Sequence, residues 1–155
     1  METDDVVNVP EGSYTYEIVA EVGSKKFTTS YSVEFKNPCT EIPITVFSPT
    51  PFADHTYTLL DEMYYQEWII DDVARNPTDV DCGDMSVTFV DKEGDPIDTS
   101  IFNINYDHYP YKFEVKYNDD SSHEGKYEIF YKVQYDDYEN SSVTSTDSFE
   151  IEIVD

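Results

Sequence analysis

Apolar and polar residues alternate along most of this chain with a period of two, the pattern of half-buried strands rather than helices. Tyr14, Tyr16, Ile18, Ala20 and Val22 alternate with Thr15, Glu17, Val19 and Glu21. Phe27, Tyr31, Val33 and Phe35 alternate with Thr28, Ser30, Ser32 and Glu34. Gly23-Ser24 between the two runs supplies the positive φ of a tight turn, so residues 14–36 are predicted to form a β-hairpin. After Asn37-Pro38-Cys39 the pattern predicts a strand carrying Ile42, Ile44 and Val46, a proline-broken turn (SPTPF), and strands over residues 57–60 and 64–70. The stretch LLDEMYYQEWIIDDVA has a helical alternative, but Tyr64, Trp68 and Ile70 fall on one face at period two and the aromatics suit a pleated surface. Further strands are expected over residues 85–89, 111–117, 127–135 and 149–153, with an acidic turn, DKEGDP, after the first of them and then a short element over 97–104. Turn clusters spaced by roughly 8 to 12 residues are what a Greek-key sandwich produces.

One segment is echoed. EGSYTYEIVAEVGSKKFTTSYSVEF, from Glu11, parallels EGKYEIFYKVQYDDYENSSVTSTDSFEIEIV, from Glu124. Both run Glu-Gly-x-Tyr, a Tyr/Ile/Val strand, a polar turn and a second strand of alternating aromatics and aliphatics. Either two acidic hairpins merely look alike, or the chain holds the closing hairpin of one repeat followed by a whole repeat. On the second reading residues 1–37 form an N-terminal hairpin segment and residues 38–155 a β-sandwich.

Composition narrows the function classes. A formal charge of -25, from 34 Asp+Glu against 9 Lys+Arg, repels nucleic acid and anionic membrane. Such acidity often means disorder, but 15% aromatic residues, 14 of them Tyr, imply a folded core with the acid on its surface. No apolar run reaches the ~20 residues of a membrane span, and the start, METDDVVNVPEG, resembles no secretory leader. Cys39 and Cys82 fit an oxidising compartment; a disulfide and two free core thiols are the alternatives at this point.

Catalytic chemistry has little footing. His55, His108 and His123 are isolated, without zinc-site spacing, a nucleophile elbow or a phosphate-cradling glycine loop, so no enzyme activity and no cofactor are expected. Two acidic turns are calcium candidates: Asp91, Glu93 and Asp95, and Asp79, Asp81 and Asp84. Asn140-Ser141-Ser142 is a glycosylation sequon, read as lying in the loop before the last strand. Tyr106, Tyr109 and Tyr138 are candidates for stacking on sugars or on a partner.

The order NPC at 37–39, Tyr-x-Leu at 57–59, Trp68, CG at 82–83, IDTSIF at 97–102, EGKY at 124–127 and FEIEI at 149–153 resembles the tandem cadherin-like or immunoglobulin-like repeats of large surface and extracellular-matrix proteins of single-celled eukaryotes. The resemblance spans residues 37–154. It implies an all-β, immunoglobulin/cadherin-like antiparallel sandwich at the cell surface or outside the cell, with Cys39 bonded to Cys82. The junction motifs of calcium-binding cadherins are not matched. The expected role is a structural repeat or filament subunit that associates head to tail, with copies of itself or neighbouring repeats, through the hairpin row Phe27, Tyr31, Val33 and Phe35. The alternative is a monomeric adhesion or carbohydrate-binding module, with calcium dependence open. The acidity also suggests a salt-adapted prokaryotic surface protein, though the sequon and the NPC pattern lean against it.

Overall fold

A computed structural model describes residues 10–47 and 51–155. The elements in chain order are β1 (Gly12–Val22), β2 (Lys25–Phe35), α1 (Pro38–Glu41), β3 (Thr45–Val46), β4 (His55–Thr58), β5 (Tyr64–Trp68), α2 (Ile70–Val73), β6 (Ala74–Arg75), β7 (Met85–Val90), β8 (Phe102–Asn105), β9 (Tyr111–Val115), β10 (Gly125–Tyr135), β11 (Tyr138–Thr144) and β12 (Phe149–Val154).

Two sheets face each other. One is the antiparallel trio β5–β9–β8. The other is built on β10: β7 pairs antiparallel with one edge, while β11 and then β12 take successive stretches of the opposite edge, and β4 joins β12 in parallel. This is an immunoglobulin-like sandwich, with β5, β9 and β8 as strands B, E and D and β7, β10 and β11–β12 as strands C, F and G. The expectation of an all-β sandwich is met.

The core follows from the period-two pattern. Val87 and Phe89, Phe113 and Val115, Ile129, Tyr131, Val133 and Tyr135, and Phe149, Ile151 and Ile153 all point between the sheets and are buried. Trp68 on β5 meets the ring of Phe89 edge-on at 5.8 Å. At the centre sits Phe52, from the stretch read as a turn, stacked on Phe149 at 4.9 Å and edge-on to Phe89 at 5.3 Å. That burial is worth roughly 2 kcal/mol or more.

Local chemistry redraws three expected elements. The predicted strand after Cys39 begins instead as one helical turn: Asn37 Oδ1 accepts from Cys39 N at 2.9 Å and Pro38 opens the turn. Only Thr45–Val46 remain as strand. Ile70 leaves the period-two strand for the single turn α2. The third revision is β11, read as a loop because YENSSVT shows no apolar alternation. It pairs with β10 in an irregular ladder that serine hydroxyls supplement. Ser141 Oγ accepts from Tyr135 N at 2.9 Å and donates to Tyr138 O at 2.6 Å. Ser145 Oγ accepts from Tyr131 N at 3.2 Å and donates to Asp147 O at 2.9 Å. On either side of the register shift, the amides of Tyr131 and Tyr135 thus find serine hydroxyls as acceptors.

Candidate functional site: the exposed face of the N-terminal hairpin

Strands β1 and β2 form a two-stranded sheet of their own, paired without slippage from Gly12↔Phe35 to Val22↔Lys25. The connection is the two-residue turn Gly23-Ser24, with Gly23 at φ 62. Glycine at the first central position matches the right-handed twist of the flanking strands. Eleven residues per strand make an arm roughly 37 Å long.

Register decides which residues share a face. Tyr14, Tyr16, Ile18, Ala20 and Val22 lie opposite Val33, Tyr31, Thr29, Phe27 and Lys25, so the apolar runs of both strands fall on one side. Within that face Tyr16 stacks on Tyr31 at 5.4 Å and Tyr14 meets Phe35 edge-on at 5.5 Å. The reverse side carries Ser13, Thr15, Glu17, Glu21, Lys26, Thr28, Ser30, Ser32 and Glu34, with one apolar residue, Val19, among them and Thr15 and Ser32 joined across the strands at 3.2 Å.

The apolar side is open. Tyr16, Ile18, Val22, Phe27 and Tyr31 are 43%, 56%, 70%, 58% and 49% exposed, where a sandwich strand would have them near zero. Of the expected assembly row, Phe27 and Tyr31 are exposed, whereas Val33 and Phe35 near the base are half-buried. The hairpin is also close to neutral: Glu11, Glu17, Glu21 and Glu34 are set against Lys25, Lys26 and Lys36 in a chain of net charge -25.

Its base is fixed. Cys39, four residues after the end of β2, is disulfide-bonded to Cys82, which lies just before β7. The bond closes a separation of 43 residues. Chain entropy values such a loop at about 4 kcal/mol. Both cysteines are buried. The bridge differs from the B–F bridge of antibody domains: it ties the segment leaving the hairpin to the segment entering strand C. Thr40 Oγ1 donates to Glu11 Oε1 at 3.0 Å and Lys36 lies 3.8 Å from Glu41, bracing the same corner.

The other sequence candidates are placed apart. Asp91 Oδ1 accepts from Glu93 N at 3.0 Å and Asp95 N at 2.9 Å, so this carboxylate organises its own turn, and Glu93 pairs with Lys92 at 3.6 Å. Asp81 Oδ1 likewise accepts from Gly83 N at 3.0 Å, while Asp79 and Asp84 are exposed. Among the described residues no three His, Cys, Asp or Glu side chains converge to hold a metal. A cleft of about 510 Å³ beside Asp91 and Glu93 is also walled by Asp98, Glu128, Glu150 and two lysines, Lys92 and Lys126. There Lys126 is held by Glu150 at 2.6 Å.

The histidines do not meet. His55 stacks on Tyr64 at 3.5 Å, and burial holds its pKa below the usual histidine value. His123 Nδ1 lies 2.8 Å from Asn118 Nδ2, and His108 is exposed in an irregular segment. Asn140 is exposed but lies within β11, not in the expected loop, because the buried Ser141 of the same sequon is part of the β10–β11 pairing. Of the tyrosines, Tyr106 donates to Val87 O at 2.6 Å, and Tyr138 is half-buried against Tyr135 at 6.4 Å. Tyr109 is 68% exposed. Tyr106 and Tyr109 both meet the ring of Tyr111 edge-on, at 5.4 and 5.8 Å.

Among the described residues no helix is long and apolar enough to cross a membrane. No family model matches the chain, and no curated protein sequence matches it. Solved structures do superpose on it. The endo-fucoidan hydrolase MfFcnA4 from glycoside hydrolase family 107 aligns with 93% of this chain at 11% identity and a TM-score of 0.42, over 19% of its own length. Titin Ig tandem domains align with 92% of this chain at 13% identity and a TM-score of 0.35, over 63% of their length. Mouse clustered PcdhgC3 EC1-3 aligns with all of it, 100%, at 12% identity and a TM-score of 0.34, over 46% of its length. This chain therefore spans less than two thirds of each of these proteins, the superpositions are loose, and the immunoglobulin-like sandwich rests on its own strand pairing.

Proposed function

We propose that this chain is a structural repeat of an extracellular filament or surface protein, joined head to tail to its neighbour through the apolar face of hairpin β1–β2, with no catalytic role. The observation that carries the reading is the open face itself, where Ile18, Val22, Phe27 and Tyr31 stand at 49–70% exposure on an arm that belongs to neither sheet of the sandwich. A lone two-stranded hairpin is marginal in water, and an exposed apolar sheet face with free edges invites pairing. Covering it with a neighbouring module stabilises both. A contact between unlike surfaces does not close on itself, so its product is linear. The disulfide at the base favours an oxidising location outside the cell and gives the junction a covalent anchor. Near-neutrality of the arm lowers the repulsion that modules of this charge otherwise meet. The sequence resemblance to tandem repeats of surface and matrix proteins points the same way.

Sedimentation over a rising concentration series tests the reading. The chain is expected to associate beyond 18.0 kDa, and Ile18→Asp and Tyr31→Asp to abolish association while the sandwich stays folded. A wild-type chain that stays monomeric throughout, or variants that associate equally, would reject it.

A further inference from the structure

The hairpin and the strands that close the sandwich share more than a sequence echo. Gly12 and Gly125 open their strands at φ 146 and 149, a region that suits only glycine. Two residues on, Tyr14 donates its hydroxyl to Pro10 O at 2.8 Å and Tyr127 donates to His123 O at 2.8 Å, in each case four residues back. A tyrosine so placed at the start of strand F is a mark of the immunoglobulin sandwich. The ladders begin alike, with Gly12↔Phe35 and Tyr14↔Val33 against Gly125↔Ile153 and Tyr127↔Ile151. The first strands both have 11 residues, and both end at a two-residue turn, Gly23-Ser24 or Asp136-Asp137. Tyr16, Ile18, Ala20 and Val22 thus stand where Ile129, Tyr131, Val133 and Tyr135 stand. The latter are at most 1% exposed.

We propose that β1–β2 is the F–G pair of a second immunoglobulin-like sandwich, and that its apolar face is covered by the B–E–D sheet of a preceding module in tandem, one that has no F and G strands of its own. A complete copy of this chain can meet the face only with its outer surfaces, because the inner face of its β5–β9–β8 sheet is already filled by β10 and β12, so association of the isolated chain is a weaker substitute for the tandem layer. The missing layer has a stated chemistry: three strands presenting an aliphatic and aromatic inner face, as Trp68, Phe102, Phe113 and Val115 do here. A strand C beside β1 and a parallel strand beside β2 would complete the edges.

The inference rests on the repeat reading and is tested separately from it. Residues 37–123 are fused directly ahead of Glu11, so that the hairpin follows a β4–β9 segment as β10 does in the sandwich. Hydrogen exchange then compares the amides of β1 and β2 with those of the unfused chain. Slowing by about 100-fold or more, together with a second unfolding transition, is the expected result. Ile18→Asp in the fused chain should unfold the upstream sandwich and spare the downstream one. Unchanged exchange, or an upstream segment that is unfolded with either residue at position 18, overturns the proposal. If the hairpin stays open in the fused chain while the unfused chain still associates in an Ile18-dependent way, this inference falls and the repeat reading stands.

Discussion

Hairpin β1–β2 and the β10–β12 unit have nearly the same local plan and opposite surroundings. Each starts at a strained glycine, locks its first turn with a tyrosine hydroxyl, runs 11 residues and turns on two. Yet Tyr131 is 1% exposed and its counterpart Ile18 is 56% exposed. The lesson is that alternation, turn chemistry and register specify a hairpin with one apolar side, while burial is decided by what the rest of the molecule brings against that side.

The contrast is breakable by substitution. Tyr131→Asp puts a charge into the aromatic core and should cost more than about 4 kcal/mol, unfolding the sandwich in a urea titration. Ile18→Asp at the matching position should change the same midpoint by less than about 0.5 kcal/mol. Equal costs would mean that the hairpin is packed on the sandwich after all. Cys82→Ser is expected to remove about 2–5 kcal/mol from the sandwich, read by thermal unfolding. The same change should raise exchange at the base of β2, since Cys39 no longer anchors it. Tyr127→Phe should cost about 1 kcal/mol through the lost bond to His123 O. Tyr14→Phe, which breaks the matching bond in the open hairpin, should leave the sandwich midpoint unmoved. The smallest expected effect is at His55. Its depressed pKa means that the neutral ring is favoured in the fold, so its contribution is present above 6.5 and is lost as pH falls through the lower folded value. Acidification across that range should therefore lower Tm slightly relative to His55→Phe, which keeps a ring against Tyr64.

Much of the fold was legible because strands with one buried face advertise it at period two. The hairpin, its turn, β7, β9, β10 and β12 were all readable from alternation, as was the echo of Glu11 in Glu124. The row Phe27, Tyr31, Val33 and Phe35 was correctly read as one face, since side chains two apart on a strand share a side. The even cysteine count in a β-rich chain pointed to a disulfide, and the resemblance implied the same Cys39–Cys82 bond that the structure contains. What alternation missed was structure held by polar side chains. Strand β11 lacks apolar alternation, and the hydroxyl of its Ser141 accepts a bond from Tyr135 N, so the sequon of Asn140 looked like loop. The turn α1 depends on the side chain of one asparagine, Asn37.

The amino-acid sequence by itself determined that this chain is β-rich, strongly acidic and carries two segments of similar hairpin pattern, because propensity, period and turn residues are local properties. Only the tertiary structure decided that Phe52 sits at the centre of the core, that the calcium candidate Asp91 caps its own turn, and that one of two similar hairpins closes a sandwich while the other stands open. Each of those depends on which distant segments meet, and a one-dimensional pattern says which side of a strand is apolar but not what will cover it.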